Sequence, residues 1–393
     1  MIWKGYVIMN NFIFENKTKV YFGKGGVKEY LGSLLQNYGS TVMLAYGGCS
    51  IKKNGVYDEV TAILKDADKT VVEFGGIMPN PTYAKVQEGA KLAKENHVDL
   101  ILAVGGGSVS DCCKVISAQA NVDENLWELE NTKRTFPTKF IPLGTIVTVF
   151  GTGSEMNNGA VITHEEKKIK GALWGAQADF AFLDPTYTLS VPMKQVISGA
   201  FDTLSHAMET YFGKPDENNL SDDINEAVMR STIRNIRVLL TDPENYGARS
   251  ELAWASAMAE NGILKIGKVT DFQCHMMEHQ LGAYTDCNHG AGLAVIHPVL
   301  YRHIYKSGAA RFARWARNVW GVAPKATDEE TALAGIEALA DFIKEIGLPT
   351  SFAELGIPAD TDFRAIADST VLTAGCCKKL THDEIYEILK ECK

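Results

Sequence analysis

The chain has 393 residues, of which 46% are hydrophobic and 22% charged, with a formal net charge of −9. That is too long for one ordinary core, since domains run to roughly 100–200 residues, and too apolar for a disordered chain. The acidic balance, without a dense Lys/Arg run, argues against a nucleic-acid partner.

At the N-terminus Lys4 precedes an apolar patch, Tyr6 to Met9, too short for a signal-peptide core or a membrane span, so a cytoplasmic setting is expected. The eight cysteines show no CxxC pair and no framework spacing, which favours reduced thiols. From residue 40 to about 190, β-rich runs (Thr41 to Tyr46, Thr70 to Phe74, Leu100 to Val104, Phe140 to Leu143, Phe180 to Leu183) alternate with helical stretches such as Tyr57 to Asp66 and Tyr83 to Asn96. That alternation predicts an α/β domain with a largely parallel sheet. After Pro192 the period becomes helical throughout, as in Ile224, Val228, Ile233, Ile236, Leu239 and Leu240, and again in Leu333, Ile336, Leu339, Phe342 and Ile343. Two domains are expected, 1–192 α/β and 193–393 all-helical, with a cleft between them as the default active-site location.

Two glycine-rich turns follow predicted strands. Gly105, Gly106, Gly107 and Ser108 lie between the strand ending at Val104 and a helix over Asp111 to Ala120. Strand, glycine turn and helix start suit a pyrophosphate, because the backbone approaches without Cβ clashes and the free N–H groups donate. The pattern is not GxGxxG, so an ordinary Rossmann fingerprint is absent. The second turn, Gly47-Gly48-Cys49-Ser50, carries no carboxylate at its strand end and is followed by Lys52 and Lys53, which leans the cofactor towards NADP(H) over NAD(H).

Six of the nine histidines fall between residues 206 and 303. Asp202 and His206 are four apart and share a helix face. His275, His279 and His289 offer three imidazoles for two further places, and spacing alone does not choose between them. Such a carboxylate and imidazole set suits Fe²⁺, Zn²⁺, Mn²⁺ or Ni²⁺, and ligand softness does not choose among them; Fe²⁺ or Zn²⁺ is expected. Cys274 and Cys287 read as buried thiols, because a residue adjacent to His275 points about 100° away on a helix.

These segments, with Tyr21-Phe-Gly23, Tyr46 to Tyr57, Pro79-Asn-Pro81, Gly151-Thr-Gly-Ser-Glu155 and Leu183-Asp-Pro185, resemble the iron-containing (group III) alcohol dehydrogenases, in particular the butanol-dehydrogenase-like branch, nearly end to end. The resemblance implies a dehydroquinate-synthase-like architecture, metal ligands at Asp202, His206, His275 and His289, and His279 as a non-ligand that relays a proton. It also implies cofactor contacts from Gly105, Gly106, Gly107 and Ser108 at the pyrophosphate, with Asp111 in the same set. Gly47, Gly48 and Ser50 fall around the adenosine ribose, and Thr148, Thr152, Lys170 and Tyr187 along the cofactor cleft. Phe150 departs from the small residue or proline common in relatives, and Cys49 stands in a turn usually richer in glycine.

The expected activity is metal-dependent, NAD(P)-linked hydride transfer between short-chain primary alcohols and aldehydes, with a homodimer formed through about Phe12 to Phe22. Phe150, Met156, Trp254 and Phe272 are candidate substrate-lining residues. A dehydroquinate-synthase-like enzyme acting on a phosphorylated polyol is the alternative; it would need a basic pocket, and residues 202–289 offer few Lys or Arg beyond Lys265 and Lys268.

Overall fold

The structure is a computed structural model describing residues 9–375 and 377–393; the Tyr6–Ile8 part of the N-terminal patch and Cys376 lie outside the described residues. The chain divides into two compact units, Asn16–Pro192 and Met193–Lys393, the second also taking in Met9–Glu15. Asn10 N donates to Gly267 O at 3.0 Å within that second unit.

The first unit runs β1 (Lys19–Phe22), α1 (Gly26–Leu35), β2 (Thr41–Tyr46), α2 (Ser50–Lys53), α3 (Val56–Asp66), β3 (Thr70–Phe74), α4 (Tyr83–Glu95), β4 (Leu100–Gly105) and α5 (Gly107–Gln119). It continues through α6 (Leu126–Asn131), β5 (Leu143–Val147), the hairpin β6 (Gly159–His164) and β7 (Ile169–Trp174), and β8 (Phe180–Leu183). Six strands form one sheet in the order β1-β8-β5-β4-β2-β3, and every neighbouring pair is parallel. Side-chain alternation explains why the strands read as continuous apolar runs. Val42, Leu44 and Tyr46 pack into one core, while Met43 and Ala45 pack into the other, so both faces are covered by helices.

The order contains a switch point. From β2 the chain moves outward to β3, returns to β4 on the other side of β2, and then moves away to β5. The loops after β2 and β4, which carry the two glycine turns, therefore leave in opposite directions. The crevice so opened at the carboxyl ends of parallel strands is where ligands of such sheets bind.

The run Phe140 to Leu143 is corrected by the structure: the strand is Leu143–Val147, and Phe140 lies outside it. Pro142 blocks an earlier start by lacking an N–H. Gly144 and Thr145 dilute the apolar signal inside the strand, and Gly144 is required there because a Cβ would meet the Phe180 ring at 2.2 Å.

The second unit is all helical: α7 (Met193–Tyr211), α8 (Leu220–Thr241), α9 (Tyr246–Glu260), α10 (Gln273–Thr285), α11 (His289–Ile304), α12 (Ala309–Trp320), α13 (Asp328–Glu345), α14 (Phe352–Leu355), α15 (Phe363–Ser369) and α16 (His382–Glu391). One core joins them, centred on Phe201, Leu204, Met277, Leu293, Ile296 and Trp315. Asn219 and Asp222 cap α8 reciprocally, as Thr327 and Glu330 cap α13. No helix among the described residues is long and apolar enough to cross a membrane.

Candidate metal centre and dinucleotide site

The histidine cluster is assembled by three helices. On α7, Asp202, His206 and Glu209 recur at i, i+4 and i+7, a polar stripe that is fully buried. Helix α10 brings His275, Glu278 and His279, and α11 opens on His289. Asp202 Oδ1 stands 3.7 Å from His206 Nε2, 3.4 Å from His275 Nε2 and 3.4 Å from His289 Nε2. These separations are long for N–H···O bonds, yet donors about 2.1 Å from a tetrahedral ion stand about 3.4 Å apart. Asp202 Oδ1 and His275 Nε2 are buried without a hydrogen-bond partner among the described residues. Buried polar atoms aimed at one point and left unpaired there fit a divalent metal as the shared partner.

Each of two imidazoles is held from behind by a buried carboxylate. His275 Nδ1 bonds Glu209 Oε2, and His289 Nδ1 bonds Glu278 Oε2. A proton kept on Nδ1 leaves the Nε2 lone pair facing Asp202, the arrangement by which outer carboxylates orient metal-binding histidines. Glu209 also receives the backbone N–H groups of Cys274 (2.6 Å) and His275 (3.4 Å). It thereby caps α10, whose own N-cap residue, Phe272, offers no side-chain acceptor and sits at φ 58°.

Helix α11 is fixed against α7 at its first turn. Asn288 Oδ1 accepts from Ala291 N at 3.1 Å and from Ser198 Oγ, and Asn288 Nδ2 donates to Gln195 at 3.0 Å. Gly290 permits the approach, because a Cβ there would lie 2.2 Å from Ser198 O.

Charge follows the same logic. Burial disfavours the Asp202 carboxylate, but the His206, His289 and His275 imidazoles outweigh it and hold the group well below the usual range. Burial pushes His275 down; Glu209 and Asp202 reverse this and raise it to about 10. Burial lowers His206, so the raised value belongs to His275 alone and reports the Glu209 and Asp202 carboxylates beside it, negative charge that a dication would neutralise. His279 lies at the rim: its ring is 5.9 Å from His275 and 5.5 Å from His289, and the ligand-capable atoms of Glu278, His279 and His289 fall within 4.8 Å of one another. Phe272 packs 5.0 Å from the His275 ring, whereas Trp254 is largely exposed on α9 and Met156 is buried in the first unit. Cys274 and Cys287 are buried thiols outside any disulfide. Lys265 is paired with Glu260 at 2.7 Å and Lys268 with Asp222, so neither cation is available to a phosphorylated substrate.

In the first unit, Gly105 ends β4, Gly106 precedes α5 without a side-chain cap, and Gly107 and Ser108 form its first turn. Gly107 is obligatory for the turn, since a Cβ would meet Thr152 Oγ1 at 2.3 Å. Thr148 is buried, and its N–H donates to Gly105 O at 2.9 Å, locking the strand end against the glycine turn. Space around Gly48 is open, and Ser50 begins α2. An uncapped N-terminus of a 13-residue helix beside glycine backbone suits a pyrophosphate.

Asp111 behaves as an internal brace: its oxygens accept from Ser154 Oγ and, at 2.8 Å, from Val161 N. Lys170 is buried on β7 and is not a solvated charge. Tyr187 Oη donates to Glu59 at 2.8 Å, and Phe150 is half-buried. The strand end after β2 lacks an acidic residue of its own, but Glu73 from the neighbouring strand reaches Lys52 at 3.6 Å, so Lys52 is a paired cation.

The sequence profile of the iron-containing alcohol dehydrogenases matches residues 17–185, and that of the family's C-terminal part matches 196–392. The chain belongs to the iron-containing alcohol dehydrogenase family. It is 37% identical over 390 residues to NADH-dependent butanol dehydrogenase A of Clostridium acetobutylicum, covering 98% of this chain and 100% of that one. It is also 37% identical to the NADPH-dependent aldehyde reductase YqhD of Escherichia coli, over 89% of this chain and 90% of that one. The crystal structure of NADH-dependent butanol dehydrogenase A from Thermotoga maritima superposes with a TM-score of 0.92 at 35% identity, covering 98% and 99% of the two chains. The chain is thus an oxidoreductase of the alcohol dehydrogenase and aldehyde reductase type, a family that works with a metal and NAD(P).

Glu209 and Glu278 escape the sequence reading. The i, i+4, i+7 stripe of Asp202, His206 and Glu209 was the signal available for the first; Glu278 is masked by lying between histidines.

Proposed function

We propose that the chain interconverts short-chain primary alcohols and aldehydes, of the butanol and butanal type, with one Fe²⁺ or Zn²⁺ held by Asp202, His206, His275 and His289. The observation that carries this reading is the gathering of three imidazole Nε2 atoms at 3.4–3.7 Å around one buried carboxylate oxygen. A bound divalent metal there supplies Lewis acidity to the substrate oxygen, and a nicotinamide supplies or accepts the hydride.

The chain's residues do the rest. Glu209 and Glu278 keep His275 and His289 in the Nε2-donor tautomer, and Asp202 contributes the negative charge. His279, beside both but outside the carboxylate-centred set, moves the substrate proton towards solvent. Gly105, Gly106, Gly107 and Ser108 hold the pyrophosphate by backbone N–H groups. Gly47, Gly48 and Ser50 surround the adenosine ribose, and Thr148, Thr152, Lys170 and Tyr187 shape the rest of the cofactor site.

Between the two nicotinamides, the leaning to NADP(H) rested on Lys52 and Lys53. The pairing of Lys52 with Glu73 and the NADH dependence named for the butanol dehydrogenases favour NAD(H). A cytoplasmic homodimer completes the reading; β1 is an edge strand, and Phe12, Ile13 and Phe14 are exposed.

The test is elemental analysis of protein purified without chelator, with NADH- and NADPH-dependent butanal reduction assayed before and after metal removal. Net cofactor turnover that depends on metal is expected; metal-independent turnover would overturn the reading. His279→Ala is expected to change the pH profile of turnover, and an unchanged profile removes the relay.

A further inference from the structure

The reaction itself makes no use of a cluster at the outer edge of the parallel sheet. Lys52, in the short helix just after the Gly47-Gly48 turn, lies over the rings of Tyr46 and Tyr57, 4.9 and 4.4 Å from their centroids, and 3.6 Å from Glu73. Glu73 accepts hydrogen bonds from both tyrosine hydroxyls, that of Tyr46 at 2.7 Å. Those two bonds hold its carboxyl below the usual range, so Glu73 is ionised at neutral pH and balances the lysine. Four side chains from β2, α2, α3 and β3 thus converge on one neutral, half-exposed pair.

The location gives the pair its meaning. Tyr46 is the last residue of β2 and lies beside Val104 of β4, the strand that leads into the Gly105–Ser108 turn. In doubly wound sheets an acidic residue beyond the phosphate turn hydrogen-bonds the ribose 2′-hydroxyl, and a cation nearby accommodates a 2′-phosphate. Here the cation comes from the short helix after the Gly47-Gly48 turn, and the carboxylate comes from the next strand out, where Glu73 is in register with Leu44.

We propose that Glu73 is a specificity-determining residue for the dinucleotide: it neutralises Lys52, so that the ribose end of the site gives no advantage to a 2′-phosphate. This rests on the reading that the first unit binds NAD(P) at the Gly47-Gly48 turn. Because the pair is half-exposed, the effect is modest. One unit charge about 4 Å away through water changes a binding constant by about fivefold.

The experiment is titration of the full chain with NADH and with NADPH, without substrate and at low salt, followed by nucleotide fluorescence. Wild type is compared with Glu73→Gln, Lys52→Met and the double variant. Glu73→Gln is expected to shift the ratio of the two dissociation constants about fivefold towards NADPH, and Lys52→Met about fivefold towards NADH. The double variant should return the ratio close to wild type, and added salt should shrink both shifts.

A purely structural cluster would move both affinities together. Equal changes for the two nucleotides, or a Glu73→Gln shift that survives loss of Lys52, would overturn the proposal while leaving the cofactor site standing. Failure of the wild-type chain to bind either nucleotide would overturn the site reading and the proposal with it. Lys52→Met carries an independent arm of the test if Glu73→Gln folds poorly.

Discussion

Glu209→Gln tests the metal reading most directly, because it alters one atom of a side chain that touches no substrate. The glutamine can keep its carbonyl oxygen on the N–H groups of Cys274 and His275, where Glu209 Oε1 now sits at 2.6 and 3.4 Å. Its NH₂ then faces His275 Nδ1. Two donors oppose each other unless the imidazole moves its proton to Nε2, and a protonated Nε2 has no lone pair for a metal. Holding the useful tautomer means leaving a buried donor unsatisfied, at about 1–3 kcal/mol. Loss of such an outer partner weakens metal binding about 10- to 100-fold, equivalent to roughly 1.4–2.7 kcal/mol. Competition of the refilled protein against a chromophoric chelator measures the constant, with far-UV circular dichroism confirming the fold. A Glu209→Gln protein that folds normally and binds Zn²⁺ or Co²⁺ as tightly as wild type would refute the tautomer argument.

Metal removal should lower the melting temperature, since a ligand present at about 100 times its Kd stabilises by about 2.7 kcal/mol; readdition should restore it, and Asp202→Asn should abolish the difference. Gly290→Ala forces a Cβ to within 2.2 Å of Ser198 O, so it should cost about 1–3 kcal/mol in stability by calorimetry and reduce metal content together. Glu130 is buried on α6 and accepts from Trp174 N at 2.7 Å, and burial raises its carboxyl to about 7. The folded state therefore holds a proton that the unfolded chain releases above about 4.5. That stabilisation is complete below the unfolded value, is lost as pH rises towards 7, and is flat above it. Glu130→Gln should raise the melting temperature at pH 8 and change it little at pH 4; an equal effect at both would contradict the burial argument.

The fold was legible where strand composition and packing agree. Thr41–Tyr46 and Leu100–Gly105 are apolar on both faces because both faces are buried, and their bounds are close to those read from sequence. The strand Leu143–Val147 was misplaced, because Gly144 is there for backbone approach to Phe180 and not for strand propensity. The hairpin Gly159–Trp174 went unread, since its charged turn, Glu165 to Lys168, resembles any solvated loop and Lys170 sits buried inside it. At the histidine cluster, spacing identified the Asp202/His206 pair but could not rank His275, His279 and His289. That ranking depends on where α11 starts, which Asn288, Ser198 and Gly290 decide through contacts 90 or more residues apart in sequence. Cofactor preference was read from Lys52, Lys53 and the missing strand-end carboxylate, without Glu73, which is remote in sequence and adjacent only once β3 pairs with β2.

The double use of Glu209 makes the start of α10 a reporter. The amide protons of Cys274 and His275 are held by a carboxylate whose other oxygen orients a histidine of the cluster. Phe272, just before them, sits in a left-handed conformation that costs an aromatic residue about 1–2 kcal/mol. This turn therefore has a local reason to open whenever Glu209 is released. Hydrogen exchange at these two amides should follow metal occupancy even where the remainder of α10 stays protected, giving a measure of site integrity that needs neither substrate nor cofactor.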